Sequence, residues 1–504
     1  MSMPWISVVL MSMYPVLMLT SVNIDEIIFL DILYPLVFSL ISSLTLYWLL
    51  LKLTGDSYKS SFVALLSILF FYYYGHVFYV YISGIHLGEV TVGRHRFFFP
   101  IWVSVYFFLA LIILKSKKTL KVLTVFFNYL SIVLVASVIV SMTPTLVSYS
   151  SKNSSMELVE NNNSLDESKS FVSNNLPNIY YIVLDGYASF ETYKNIYDFD
   201  NSDFKELLEN QGFFVADQSL ANHSYTYLSL SSTLNMQYMD WLASDDDKLR
   251  KKNPREIGDS IGNNKVARIL KASGYKYITF DSGYSTSSKS KIADLNVPCA
   301  QFSEFDRIFI KTTILDPFFL YGGVRDTILC QFAMIPKVAK SDKSFIFSHI
   351  IAPHPPFVFD SKGGKVGMNS GLNPWSDRDA YVEQTKFINN KVLKMISNIK
   401  KNSEIDPIII IQADHGPASS GTEEMLNPTN TLIKERMRIL NTYYLPKKIR
   451  EKLYRDITPV NTFRIILSEL LRIKLPILKD RSWFTPIGQE ELVFDDVTDV
   501  AKYD

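Results

Sequence analysis

The sequence predicts two parts, an α-helical membrane domain followed by an α/β domain whose doubly wound, mostly parallel sheet carries helices on both faces. Three observations lead there. Five apolar runs fill most of the first 150 residues, and after residue 179 strand-like runs alternate with helix-like ones. The third is the stretch Ile408-Ile-Ile-Ile-Gln-Ala-Asp-His-Gly416, which reads as a strand buried on both faces and stops at a carboxylate, an imidazole and a glycine. Ligands of open α/β sheets bind beyond the carboxyl ends of the strands, so Asp414 and His415 are expected to face a crevice.

The apolar runs cover about 5–22, 27–51, 61–83, 97–114 and 122–142, each close to the roughly 20 residues that a spanning helix needs. Five transmembrane helices are therefore expected within residues 1–147. Lys52 and Lys59 follow the second run and Lys115, Lys117, Lys118 and Lys121 follow the fourth, which puts those loops in the cytoplasm by the positive-inside bias. Arg94, His95 and Arg96 then fall on the outer side, against the same bias. The expectation is a multi-pass cell-membrane protein, amino terminus inside, with everything after residue 145 on the extracytoplasmic side.

Composition narrows the remainder. Lys and Arg total 51 against 50 Asp and Glu, a net charge of +1, so no bulk electrostatic case for nucleic acid exists. The two cysteines, Cys299 and Cys330, lie in no CxxC pattern, which excludes zinc ribbons and thioredoxin-like chemistry. A disulfide and two free buried thiols both remain open for them. Residues 148–178 are rich in Ser and Asn and read as an exposed tether to a domain over 179–504.

Within that domain, strands are expected at 179–184, ending in Asp185-Gly186, at 276–280, at 344–351 and at 407–413, with helices at 203–210 and 378–400. Residues 222–239 open with hydroxyl side chains and continue as a helix with Leu228, Leu230, Leu234 and Met239 apolar. A hydroxyl there sits beside unpaired backbone N–H groups and the positive end of the helix dipole, where a tetrahedral anion is held. Thr226 or Ser224 is thus a candidate nucleophile, activated by a metal, although the same residue types also cap ordinary helices. In His349-Ile-Ile-Ala-Pro-His354-Pro-Pro the proline after His354 favours an extended turn at the sheet rim, where the imidazole can bond a phosphate oxygen or protonate a leaving group. A helix-like run at 460–471 and the polar tail after it are read as packing.

Asp185-Gly, Thr226 at a helix start, His349-x-x-x-Pro-His354-x-Pro and Asp414-His415-Gly, in this order, resemble the alkaline phosphatase and sulfatase superfamily. The amino-terminal spans further resemble its membrane-anchored branch, the lipoteichoic acid synthases and phosphoethanolamine transferases. That resemblance implies a sulfatase-like fold, Thr226 as the nucleophile, and one divalent ion (Mn, Mg or Zn) held by Asp185, Asp414, His415 and the Thr226 oxygen. His354, and His349 with it, would contact the substrate phosphate. Three departures matter. Neither cysteine lies in the Cys-x-Pro-x-Arg motif of formylglycine sulfatases, which moves the expected substrate from sulfate to phosphate esters. No histidine follows His415, so a second metal lacks ligands. Asp185 stands where lipoteichoic acid synthases carry Glu.

The function expected is a membrane-anchored, metal-dependent phosphotransferase. It would move a phospholipid head group, of phosphoglycerol or phosphoethanolamine type, through a phospho-threonine to a surface glycan or lipid. Hydrolysis of phosphate or sulfate esters is the alternative. A non-catalytic glycan- or partner-binding membrane protein is the second, and has no use for Asp185, Thr226, Asp414 and His415 together.

Overall fold

The computed structural model describes residues 3–24, 29–87, 90–152, 176–243, 254–339, 343–366, 374–486 and 492–503. Most of the tether expected at 148–178 lies outside them. The chain forms two compact units, Met1–Leu165 with Phe302–Tyr321, and Asp166–Gln301 with Gly322–Asp504. Phe302–Tyr321, expected within the α/β domain, is thus grouped with the helical unit.

The first unit is built on α1 (Trp5–Val22), α2 (Phe29–Thr54), α3 (Ser57–Tyr72), α4 (His95–Lys115) and α5 (Lys121–Lys152). Among the described residues four helices are long and apolar enough to cross a membrane, and a fifth span results if α3 and Tyr74–Ile82, bent by 49°, count as one. Large apolar side chains such as Ile101, Phe107 and Phe108 on α4 are exposed, an arrangement that suits a lipid solvent. Polar ties fix the bundle: Asn128 accepts from Ser7 N at 3.0 Å and donates to Met3 O at 3.0 Å. In the same unit Phe305 and Phe309 pack with Val8, Val16, Ile32, Ala64, Ile68 and Tyr72.

The second unit holds a seven-stranded sheet. Its strands are β1 (Ile179–Leu184), β2 (Phe214–Val215), β3 (Lys276–Phe280), β4 (Leu295–Val297), β5 (Ser344–Ile350), β6 (Ile408–Gln412) and β7 (Asn441–Tyr444). The order across the sheet is β2-β7-β6-β1-β5-β3-β4, parallel from β6 to β4, with β7 antiparallel to both β6 and β2. The β-branched run of β6 is wholly buried from Ile408 to Ile411, as a central parallel strand covered on both faces requires. Gln412 interrupts it, and its side chain is satisfied by Tyr181 Oη at 3.0 Å and Asn441 Oδ1 at 2.8 Å.

Register brings the chemistry to one edge. Leu184 pairs with Ile350 across β1 and β5, and Val183 with both His349 and Gln412. Asp185, His349 and Asp414 therefore stand at nearly the same level at the carboxyl ends of three adjacent strands. Cys299 and Cys330 are joined in a disulfide, which closes the question their spacing left open.

Candidate active site

The site forms where β1, β5 and β6 end. Asp185 leaves β1 with its N–H on Ile350 O at 3.0 Å, and its carbonyl accepts from His354 N at 3.0 Å, so the two strand ends are knotted together. Tyr381 Oη donates to Gly186 O at 2.8 Å and accepts from Ala188 N at 3.1 Å, fixing the turn that follows. Asp414 is held on both sides. Its Oδ1 accepts from Gly186 N at 3.2 Å, and its carbonyl accepts from Ser229 Oγ at 2.7 Å.

Ser229 lies one turn along α6 (Thr226–Asn235), every residue of which except Tyr227 is buried. Leu228, Leu230 and Leu234 seat this helix, and Met236 ends it in the left-handed conformation at φ 57°. Tyr225 occupies the cap position without a side-chain bond and Thr226 is the first helical residue, so the threonine hydroxyl is not spent on capping. The first-turn N–H groups have no side-chain cap among the described residues, an opening where an anion is favoured.

Thr226 Oγ1 is 3.0 Å from His415 Nε2. The other ring nitrogen, His415 Nδ1, lies 2.9 Å from the Gly416 carbonyl, which can only accept. Nδ1 therefore carries a proton, and in the neutral ring Nε2 is bare and accepts from the threonine. Nε2 is also 3.2 Å from Asp414 Oδ2 and 3.8 Å from Asp185 Oδ1. Burial, reinforced by the Arg436 charge, pushes the His415 imidazole down to about 4, against the pull of Asp414 and Asp185.

His349 faces the same cluster. Its Nδ1 is 2.8 Å from Ser287 Oγ, and its Nε2 is 3.3 Å from Asp185 Oδ2. Burial opposes protonation of His349, yet the Asp185 and Asp414 carboxylates outweigh it and raise the ring's pKa. Asp185 is likewise buried, and the charges of His354, His349 and His415 hold its carboxyl well below the usual range.

Three atoms bear on what the cluster can hold. Asp185 Oδ1, His349 Nε2 and Asp414 Oδ2 are buried with no hydrogen-bond partner among the described residues. Unpaired carboxylate oxygens in a dry interior are costly unless a cation joins them. Ligand atoms of Asp185, His349 and Asp414 lie within 4.8 Å of one another, so these residues can hold a metal ion. Carboxylate oxygens with imidazole nitrogen suit Zn²⁺ or Mn²⁺. Asp185, Thr226, His349, Asp414 and His415 come together at this edge, whereas the hydroxyl of Ser224, the other candidate nucleophile, accepts from Thr485 N at 3.0 Å. His354 sits half-buried at the rim, its Nδ1 2.6 Å from Pro355 O and its ring edge-on to Trp375 at 4.8 Å.

Sequence patterns did not point to Ser287, Trp375, Tyr381 or Arg436. Arg436 is only 6% exposed, although it belongs to Lys434-Glu-Arg-Met-Arg438, which reads as a solvated run.

A doubly wound sheet with a buried threonine, imidazoles and a carboxylate pair at its carboxyl edge defines an enzyme acting on phosphate or sulfate esters. The chain belongs to the sulfatase family, whose model matches residues 177–467, more than half its length. Among solved structures it is similar to the C-terminal periplasmic domain of EcEptC from Escherichia coli in complex with zinc. Identity is 13%, the TM-score is 0.44, and the match covers 65% of this chain and 94% of that one. It is also similar to the integral membrane lipooligosaccharide phosphoethanolamine transferase A of Neisseria meningitidis, at 12% identity and TM-score 0.39, over 93% of this chain and 95% of that one. For the periplasmic domain of the phosphoethanolamine transferase EptC of Campylobacter jejuni the figures are 11%, 0.39, 62% and 95%. No curated protein matches the sequence.

Proposed function

We propose that this protein is a membrane-anchored, metal-dependent phosphotransferase that takes a head group from a phospholipid and passes it to a hydroxyl on a surface glycan or lipid. The observation that carries this reading is Thr226 Oγ1 at 3.0 Å from the bare Nε2 of His415, at the uncapped start of α6. Asp185, His349 and Asp414 would hold the divalent ion, with His415 and the Thr226 oxygen beside them. A bound ion supplies positive charge to the phosphate oxygens and eases ionisation of the threonine.

The chain's own groups account for the remaining steps. Thr226 gives up its proton along the hydrogen bond to His415 Nε2, and its oxygen bonds to phosphorus while the bond from phosphorus to the lipid glycerol oxygen breaks. The first-turn N–H groups of α6 face the developing charge. His354, at the rim, protonates the departing oxygen. The acceptor hydroxyl then gives its proton to His354 and attacks phosphorus, while the bond from phosphorus to Thr226 breaks and His415 returns the threonine's proton. Water in place of the acceptor makes the same site a hydrolase.

Several features support the outward, lipid-facing setting. The Cys299–Cys330 disulfide fits an oxidising compartment, and the lysine-bearing loops fit the cytoplasm. The Thr226→Ala variant tests the reading. With a phospholipid extract, release of diacylglycerol is expected from the parent and from Thr226→Ser, and none from Thr226→Ala. Undiminished release from Thr226→Ala would contradict it.

A further inference from the structure

Arg436, on α9 (Asn430–Met437; α7 being Glu304–Thr312 and α8 Arg378–Asn402), lies behind the Thr226–His415 pair. Its Nε donates to Ser224 O at 2.9 Å and its Nη1 to Gly416 O at 2.8 Å. Those carbonyls belong to the two segments that carry the reacting groups. Ser224 is two residues before Thr226, and Gly416 O is the acceptor that orients His415 Nδ1 at 2.9 Å. We infer that Arg436 is a positioning residue for the transfer proposed above, a clamp in which one guanidinium sets the separation of Thr226 from His415.

The backbone makes the coarse attachment without the side chain. Gly416 N donates to Arg436 O at 2.6 Å, and Ala221 N to Met437 O at 2.7 Å, so both segments already rest on α9. The guanidinium adds a direct link between them, close to each reacting group. Arginine suits this because its donors are fixed in one plane, whereas a lysine ammonium is a single point on a flexible stem and cannot hold two carbonyls at a set spacing. A residue that only satisfied buried carbonyls would affect stability alone. A clamp on the nucleophile and its proton acceptor affects turnover in a folded protein.

The experiment uses the full chain in detergent with Mn²⁺, comparing the parent, Arg436→Lys, Arg436→Ala and Thr226→Ala. Turnover of bis-p-nitrophenyl phosphate, Mn²⁺ affinity without substrate, and the thermal midpoint are measured. In Arg436→Lys, kcat is expected to fall about 10- to 100-fold with KM little changed and the midpoint near the parent's, and Mn²⁺ binding to weaken about tenfold. Added methylguanidinium is expected to restore turnover to Arg436→Ala. Parent-level kcat in Arg436→Lys would overturn the clamp, as would a loss matching the loss of folded protein without rescue. The inference rests on the threonine mechanism for its kinetic arm only. If Thr226→Ala keeps turning over, that mechanism fails by itself, and the clamp is then judged on Mn²⁺ affinity, where parent values in both Arg436 variants overturn it.

Discussion

Thr226 and His415, 189 residues apart in the chain, meet at 3.0 Å because α6 is pinned to the end of β6 by the bond from Ser229 Oγ to the Asp414 carbonyl. The proposed nucleophile and its proposed proton acceptor are thus carried by separate elements and locked by a third residue, and each lock is open to measurement.

Metal binding is the first prediction from the atoms of Asp185, His349 and Asp414 that make no hydrogen bond among the described residues. Mn²⁺ at a hundredfold over its Kd is expected to stabilise the folded protein by about 2.7 kcal/mol. Asp414→Ala should abolish the effect. His349→Ala separates two roles for that imidazole, since a ligand's loss weakens Mn²⁺ binding and a substrate contact's loss raises KM alone. Calorimetric titration in detergent reads the first and steady-state kinetics the second.

Gly416 has no room for a side chain. A Cβ there would lie 2.1 Å from Glu435 O and 3.2 Å from Arg436 O, both backbone atoms that cannot swing away. Gly416→Ala is expected to cost about 1–3 kcal/mol and to weaken Mn²⁺ binding, because relief of the clash displaces Asp414 and His415. An unchanged thermal midpoint would show that the strand end is looser than the structure indicates.

His223 makes stability depend on pH. It is fully buried, its Nε2 accepts from Met239 N at 3.2 Å, and burial pushes its pKa from 6.5 down to about 3. Between those values the unfolded chain binds a proton that the folded protein does not, so stability is complete above pH 6.5 and declines as the pH falls toward 3. Near pH 5 the loss is about 2 kcal/mol. His223→Gln keeps an acceptor without titrating, and its thermal midpoint should fall less between pH 7 and pH 5 than the parent's.

The disulfide closes a sequence separation of 31 residues. Replacing both cysteines by serine is expected to cost about 3–4 kcal/mol by the chain-entropy relation. Peptide mapping without reductant should recover Cys299 and Cys330 in one cross-linked fragment, and denaturation of the double variant gives the energy.

What the sequence made legible follows from pattern strength. β1, β3, β5 and β6 lie within a residue or two of where they were expected, because unbroken apolar runs ending in polar residues have few other solutions in a parallel sheet. Most of α8 was equally plain from its length and spacing. β2, β4 and β7 span two to four residues, too few for a period, and Asn441–Tyr444 is too polar to announce a buried strand. Asp185, Thr226, Asp414 and His415 were visible as strand ends and a helix start. Arg436 was not, since a buried guanidinium and a solvated one are the same letter until tertiary contacts choose between them. His349 was found as a residue, but its nearness to both carboxylates came from strand register, which one strand's sequence does not contain. The tail after residue 471 was read as packing, and Thr485 N donates to Ser224 Oγ at 3.0 Å, so the tail braces the segment that leads into Thr226.

The most direct measurement is mass spectrometry of the full chain after a brief exposure to phospholipid and Mn²⁺, quenched in acid and digested. The account predicts a phosphodiester adduct on the peptide carrying Thr226, with a mass that names the head group, which is lost when an acceptor alcohol is added and absent from Thr226→Ala. Turnover of the lipid with no adduct on Thr226 under any quench, or an adduct on another residue that persists in Thr226→Ala, would contradict it.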